Sequence, residues 1–186
     1  MIDFAPVVPL TAQHETDDFD CASEAQTNWL RRYGFQAQQT GTSRVFVVTP
    51  VGSNTVVAYY ALAAGAVEPE HAPPRLRKGV GRHPIPVVIL TRLGVNLSAQ
   101  GIGLGSAIVK DAFARANRAA DEIGVRALLI HAESETARAF YEHLAEFERS
   151  PTDPLHLILL MKDLRKVIAS SGAPPGQPTS DARTAG

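Results

Sequence analysis

Residues 100–106, Gln-Gly-Ile-Gly-Leu-Gly-Ser, have the make-up of an anion cradle. Gly101, Gly103 and Gly105 stand between an apolar run rich in β-branched residues, which starts at Val87, and a stretch in which Leu104, Ala107, Ile108, Ala112, Ala116 and Ala119 recur at helical spacing. A strand that feeds a helix through glycines leaves bare backbone N–H groups at the helix N-terminus. The aligned peptide dipoles place about half a positive charge there, and phosphate binds readily. The chemistry on offer is therefore recognition of a diphosphate. Gly-Lys-Ser/Thr of a Walker loop is absent, and a dinucleotide fingerprint counted from Gly101 meets Ser106 where its last glycine belongs. Asp121 and Glu122 precede the next strand instead of ending it, so they do not supply the ribose-binding acid.

The elements that must position this loop can be read along the chain. A first helix is expected from about Ser23, a plausible N-cap, to Tyr33, and a β-hairpin from Arg44–Thr49 and Thr55–Ala63. Residues 68–86 hold five prolines among Arg75, Arg77, Lys78, Arg82 and His83, the pattern of a basic loop without regular structure. The buried strand, the glycine loop and the long helix follow. A strand Val125–Ala132 comes next, then a short helix from about Glu135 to Leu144 with Ala137, Phe140, Tyr141 and Leu144 on one side. Leu155–Met161 reads as the last strand. The expected division is one domain over residues 1–167 and a disordered tail over 168–186, where Ser, Pro and Gly dominate.

Composition narrows the class. With 186 residues, 45% of them hydrophobic, the chain suits one globular domain with a real core. One cysteine, Cys21, excludes an internal disulfide and fits a reducing cytoplasm. No apolar run approaches the roughly 18 residues of a membrane span, and the N-terminus does not read as a secretory signal, so a soluble cytoplasmic protein with no membrane partner is expected. The net charge of −1 conceals an asymmetry. Residues 1–24 carry six acids and no Lys or Arg, whereas residues 25–110 carry nine basic residues against Glu68 and Glu70. A basic middle in a near-neutral chain points to one electropositive face. The six histidines have no metal-ligand spacing, so no metal is expected. His131-Ala132-Glu133 echoes the His-x-Glu of zinc deaminases, but no Pro-Cys-x-x-Cys follows. Cys21 has no evident histidine partner and reads as a structural thiol.

Gln100-x-x-Gly103-x-Gly105 after a strand resembles the pyrophosphate-binding signature of GNAT-type acetyltransferases, and the order hairpin, strand, glycine-led helix, strand, helix, strand resembles their α/β fold. More residues carry the likeness further: Phe19-Asp20-Cys21, Trp29-Leu30, Arg44-Val45-Phe46-Val47, Ala58-Tyr59-Tyr60-Ala61-Leu62, Pro84-Ile85-Pro86-Val87, Arg92-Leu93-Gly94-Val95, Ile123-Gly124-Val125-Arg126-Ala127 and Ala139-Phe140-Tyr141-Glu142. Together they resemble the acetyltransferase toxins of bacterial type II toxin–antitoxin pairs, over about residues 10–165. Two positions depart from the pattern. Glu146 precedes Phe147 where relatives have Gly-Phe, and Ser134 stands where many have Asn or Asp.

The resemblance implies a mixed central sheet flanked by helices, acetyl-CoA as co-substrate and aminoacyl-tRNA as acetyl acceptor. It implies Tyr141 as the general acid that protonates the departing sulfur. Backbone at Leu93, Gly94 and Val95 would pair with the pantetheine arm, with Val95 also facing the thioester oxygen. Gln100, Gly101, Ile102, Gly103, Leu104, Gly105 and Ser106 would form the pyrophosphate loop. Arg77 and Lys78, with Arg75, Arg82, Arg92, Arg31, Arg32 and Arg44 in support, would grip tRNA phosphates. A ribbon–helix–helix antitoxin is the implied partner, with a homodimer as a further expectation. Two other readings stand beside this one. One is a GNAT acetyltransferase of small amines or protein N-termini, and the other is a binding module that acts only with its antitoxin as a DNA-bound repressor.

Overall fold

The computed structural model describes residues 2–172, so the expected tail lies outside the described residues from residue 173 onward. A seven-stranded sheet, in the order β1-β2-β3-β4-β5-β7-β6, runs through the molecule. Its strands are β1 (Val8–Pro9), β2 (Arg44–Val48), β3 (Ala58–Val67), β4 (Ile85–Val95), β5 (Ala127–His131), β6 (Glu148–Arg149) and β7 (His156–Leu160). Every pairing is antiparallel except β4 with β5, which is parallel and is bridged by the long helix α4 (Leu104–Glu122).

Side chains that alternate along the strands divide the core into two faces. Tyr60, Leu62, Val88, Leu90, Leu128, Ile130, Leu157 and Leu159 pack with Ile108, Ala112, Phe113 and Ala116 of α4, and with α5 (Glu135–Leu144) and α6 (Met161–Ser171). The alternate residues face the other way. Val67, Ile85, Val87, Ala127, Leu129, Ile158 and Leu160 enclose Leu76, while Tyr59, Ala61, Val45 and Val47 enclose Phe19 and Leu30. Burial on both faces explains why β4 and β5 read as continuous apolar runs instead of alternating ones.

Four expectations need correction. The first helix does not stop near Tyr33. Helix α1 (Glu24–Trp29), capped by Ser23, passes through a π-helical turn (Leu30–Gly34) into α2 (Phe35–Thr40). Gly34 is a packing residue there, since a Cβ on it would meet Leu30 Cδ1 at 3.2 Å, and the stop comes at Gly41, whose φ is +74°. The second hairpin strand begins at Ala58 and runs on to Val67, because Thr55 and Val56 pair with Glu15 and the ladder to β4 starts only at Ala58.

Residues 68–86 are not free of regular structure. A 3₁₀ turn (Pro69–His71) and a short helix α3 (Pro74–Arg77) occur there, and prolines at the first turn of each donate no N–H and lose nothing by it. Finally, residues 161–171 form α6, which was not foreseen; it crosses the expected domain limit at 167 and sits on α4 through buried Leu164 and an Arg165–Asp121 ion pair of 2.9 Å.

Leu76 is what fixes the basic turn to the sheet: it is fully buried among Val67, Ile85, Ala127 and Leu160. Leu76→Ala is expected to cost about 2–5 kcal/mol, the range for a buried leucine whose cavity cannot collapse. Chemical denaturation of the purified protein measures it, and a loss under about 1 kcal/mol would mean that α3 packs loosely.

Candidate active site

The site begins where two parallel strands part. β4 and β5 stay in register from Val87↔Ala127 to Leu90↔Ile130, and there the ladder ends. β4 continues five residues further, paired only with β3 through Arg92↔Ala61, Leu93↔Tyr60, Gly94↔Tyr59 and Val95↔Ala58. At the parting point the β3–β4 register shifts between Ala61 and Leu62. Thr91 is the extra residue, and its hydroxyl donates to Ala61 O at 3.3 Å. A bulge bends the strand and re-aims it. The β5-facing edge of Thr91–Val95 is thus left without a strand partner.

Two adjoining clefts fill the gap. The larger, about 520 Å³, is lined by Leu93, Gly94, Val95, Gln100, Gly101, Gly103, Gly105 and Ser106, with Cys21 and Ser23 opposite. The smaller, about 280 Å³, is lined by Leu90, Thr91, Arg92, Leu93, His131 and Tyr141 among others. Gln26, Leu93, Glu133 and Phe140 line both and join them.

The glycine loop has the conformation that its glycines permit. Gly101 and Gly103 lie at φ +76° and +85°, in the left-handed region that side chains disfavour, and a Cβ on either would meet no protein atom within 4 Å. The space beside them is open. Leu104, Gly105 and Ser106 begin α4, so their N–H groups have no partner within the helix and stand at its positive end. Ile102 is exposed at the tip and Leu104 is buried as the first anchor of the helix. Gly105 allows close packing, because a Cβ there would meet Phe140 at 3.4 Å. Gln100 acts through its side chain as a strut, its Nε2 donating to Val95 O at 2.9 Å and Cys21 O at 3.3 Å. This leaves its backbone, and not its amide, for a ligand.

Gly94 is not a bulge glycine, since the bulge is at Thr91. A Cβ on Gly94 would stand 2.9 Å from Tyr59 Cε1 and 3.2 Å from both Cys21 Sγ and Phe19 Cζ. Its bare Cα lets the aromatic cluster of Phe19, Tyr59 and Trp29 press against β4, with Tyr59 stacked on Trp29 at 6.0 Å and donating through its hydroxyl to Gln26 O at 2.7 Å. That cluster holds α1 as the far wall. Cys21 is half-buried there, near Thr27 Oγ1 at 3.4 Å.

Tyr141 lies on α5, 7% exposed, in the wall of the smaller cleft. Tyr59 and Tyr60 donate to protein acceptors, Gln26 and Asp111. The Tyr141 hydroxyl has no hydrogen-bond partner among the described residues and faces the cleft. Burial, and after it the negative charge of Glu133, push its pKa well above the usual tyrosine value, so it keeps its proton. Ser134, one of the departures from the family pattern, caps α5 by accepting from Ala137 N at 3.1 Å. Asn or Asp would do the same work, so the substitution preserves the helix that carries Tyr141. After α5, Phe147 packs toward Phe113, with 6.4 Å between ring centroids.

The basic residues divide. Arg92 is half-buried in the smaller cleft with its guanidinium 5.5 Å from the Trp29 ring centre. Arg77, Lys78 and Arg82 are exposed near the start of β4, where Arg126 donates to Lys78 O at 3.1 Å and pins the turn. Arg31 and Arg32 are exposed on the helix that covers the same face of the sheet. Arg44 is exposed on β2. Arg75 is engaged elsewhere, in ion pairs with Glu148 at 2.5 Å and Asp163 at 2.8 Å.

Residues not foreseen for the site are Glu133, Ser23 and Gln26. Ser23 Oγ donates to Glu133 Oε1 at 2.6 Å, tying the β5–α5 loop to the cap of α1 across the junction of the two clefts. They lie 110 positions apart in the chain, and no local pattern announces such a contact.

The protein resembles known chains over nearly all of this frame. It is 46% identical to a tRNA-acetylating toxin of Mycobacterium tuberculosis, over 83% of this chain and 90% of the relative. The chain belongs to the family of tRNA-acetylating toxins. No protein-family model matches it. Among solved structures, the toxin AtaT complexed with acetyl-methionyl-tRNAfMet superposes with a TM-score of 0.80 at 25% identity, covering 89% of this chain and 99% of that one. A mutant AtaT bound to the C-terminus of the antitoxin AtaR and to acetyl-CoA superposes with a TM-score of 0.75 at 23% identity, covering 90% and 99%. The mixed sheet, the parted strands and the glycine-led helix are thus the GNAT architecture of a toxin family. Among the described residues, no helix is long and apolar enough to cross a membrane.

Proposed function

We propose that this tRNA-acetylating toxin transfers the acetyl group of acetyl-CoA to the α-amino group of an aminoacyl-tRNA and so blocks translation, as one half of a toxin–antitoxin pair. The observation that carries the reading is the cleft between β4 and β5, which runs from a glycine-led helix N-terminus to the hydroxyl of Tyr141, which has no partner among the described residues. The direct test is incubation of charged tRNA with labelled acetyl-CoA and the purified protein. Label should appear on the aminoacyl group and be absent from uncharged tRNA. Label on small amines or protein N-termini, with none on charged tRNA, would favour the ordinary GNAT alternative.

The donor set suits acetyl-CoA. The free N–H groups from Gly101 to Ser106 would hold the pyrophosphate, and the unpaired edge of Leu93, Gly94 and Val95 would hydrogen-bond the pantetheine arm as a neighbouring strand does. An N–H near Val95 would face the thioester oxygen and stabilise charge there. The acceptor needs little activation, because a free α-amino group titrates near 7.7–8.0 and a useful share is neutral at cytoplasmic pH. The departing thiolate needs a proton, and Tyr141 is the donor that the cleft offers.

The tRNA would lie along the exposed basic residues. Leu76, the neighbour of Arg77 and Lys78 in the chain, packs with Ile85 at the start of β4, and Arg92 stands seven residues beyond Ile85 along the strand. At about 3.3 Å per residue this is roughly 20 Å. An RNA duplex arm is long enough to reach both ends of such a span, and a small amine is not. Arg75 would contribute least, given its two carboxylate partners.

Each phosphate contact contributes a slope of roughly −0.9 for duplex or −0.7 for single strand in log affinity against log salt. Replacing Arg77 and Lys78 by Ala is expected to weaken tRNA binding and flatten that slope by about one to two units, with acetyl-CoA binding unchanged. Titrations of charged tRNA at several salt concentrations measure it. An unchanged slope would remove these two residues from the interface. The partner would be a ribbon–helix–helix antitoxin, the toxin would work in the cytoplasm, and a homodimer would be its assembly.

A further inference from the structure

The amine nitrogen carries one proton too many once it has bonded to the acetyl carbon, and that proton must go somewhere. Tyr141 is a donor and cannot take it. Glu133 is the one carboxylate among the described residues lining the two clefts, and it belongs to both, at the junction where the acyl donor and the acceptor would meet. One oxygen accepts from Ser23 Oγ at 2.6 Å; the other has only a long contact of 3.5 Å from Gln26 Nε2. No cation lies within 4 Å of it among the described residues, and Arg92 is drawn to the Trp29 ring instead. The side chain is thus fixed at one oxygen, open at the other and solvent-exposed. Its charge reaches both Tyr141 and Tyr59, pushing each hydroxyl's pKa further up after burial has done so. His131, the other titratable side chain of the smaller cleft apart from Arg92 and Tyr141, is stacked on His156 at 3.9 Å.

We propose that Glu133 holds the amino group of the aminoacyl ester by a hydrogen bond and takes its proton as the C–N bond forms. The inference rests on the acetyl-transfer reading above. The nitrogen lone pair bonds to the thioester carbonyl carbon and the C–S bond breaks. The sulfur receives the Tyr141 proton, the nitrogen's surplus proton goes to Glu133, and solvent exchange returns each group to its starting state. The exposed position of Glu133 lets it give that proton to water before the next turnover.

Glu133→Gln tests this, because a glutamine keeps the length of the side chain and an oxygen for Ser23 while losing the charge. Single-turnover transfer from acetyl-CoA to charged tRNA is expected to fall about 10²-fold, toward the low end for general acid–base groups. The affinity for acetyl-CoA should stay at the parent value. The direction discriminates between roles. Removing a negative charge eases ionisation of Tyr141, so a carboxylate that acted only on that hydroxyl would give a faster variant. A carboxylate that served only as a latch to Ser23 would give the parent rate in Glu133→Gln and a loss in Ser23→Ala. Either result overturns the proposal. If the parent protein itself fails to acetylate charged tRNA, the reading it rests on falls first and takes it down. If the parent is active and Glu133→Gln matches it, only the role of Glu133 falls.

Discussion

Tyr141→Phe is expected to leave the fold and acetyl-CoA binding intact while acetyl transfer falls ~10²–10⁴-fold, the usual contribution of a general acid. The phenyl ring keeps its place on α5 and its edge contact with Phe140, 5.2 Å between centroids. The lost hydroxyl has no protein partner among the described residues, so its removal leaves no donor or acceptor unpaired, and stability should change by less than about 1 kcal/mol. The pH profile supplies a second reading. A proton donor works while protonated, and burial raises this pKa, so Tyr141 keeps its proton past the ordinary tyrosine value near 10. The rate should therefore rise with pH as the substrate amine becomes neutral, with no fall from tyrosine ionisation on the alkaline side. Single-turnover rates of parent and variant measure both effects. A Tyr141→Phe protein that transfers acetyl at the parent rate would reduce Tyr141 to a core residue of α5.

The part of this site that the sequence displayed is the part made from neighbours in the chain. The strand from Ile85, the glycines at 101, 103 and 105 and the helix from Leu104 form one continuous segment, and their order alone describes the strand–loop–helix unit that the fold shows. Tyr141 was readable as a member of the α5 stripe, but its role came from the resemblance, because an apolar stripe looks the same whether or not its tyrosine faces a cleft. The bulge at Thr91 and the end of the β4–β5 ladder at Leu90 left no mark in the sequence, since both depend on what β3 and β5 do alongside. Glu133 was hidden for the same reason. Its meaning lies in Ser23, Gln26 and Tyr141, which reach it from α1 and α5.

Charge was legible in sign but not in allocation. Composition placed nine basic residues between 25 and 110. The fold spends Arg75 on Glu148 and Asp163, which come from the C-terminal third, and aims Arg92 into the cleft. Helix α6 was missed because its buried contacts rest on few residues, Met161 and Leu164 above all, in a stretch that leads into a polar tail. The first helix was cut short because glycine at 34 looks like a stop, whereas its neighbours Leu10, Trp29 and Leu30 need the space.

Gly103→Glu is expected to abolish measurable acetyl-CoA binding in a protein that still folds. Gly103 has φ +85°, so any side chain pays a left-handed penalty of roughly 1–2 kcal/mol. No protein atom lies within 4 Å of the added Cβ, so nothing in the core is displaced. The side chain enters open space in front of the α4 N-terminus, where the pyrophosphate would sit. It fills volume there, places a carboxylate against a dianionic group and supplies its own negative charge to the dipole that the phosphate would use. Gly103→Ala separates the causes, because it carries the same backbone strain without charge or length. Calorimetry should give an affinity for Gly103→Ala within about tenfold of the parent, a difference of 1.4 kcal/mol, and no heat of binding for Gly103→Glu. If both variants lose binding equally, backbone strain at the helix start is the cause. If a folded Gly103→Glu binds acetyl-CoA at the parent affinity, the coenzyme does not lie on this loop.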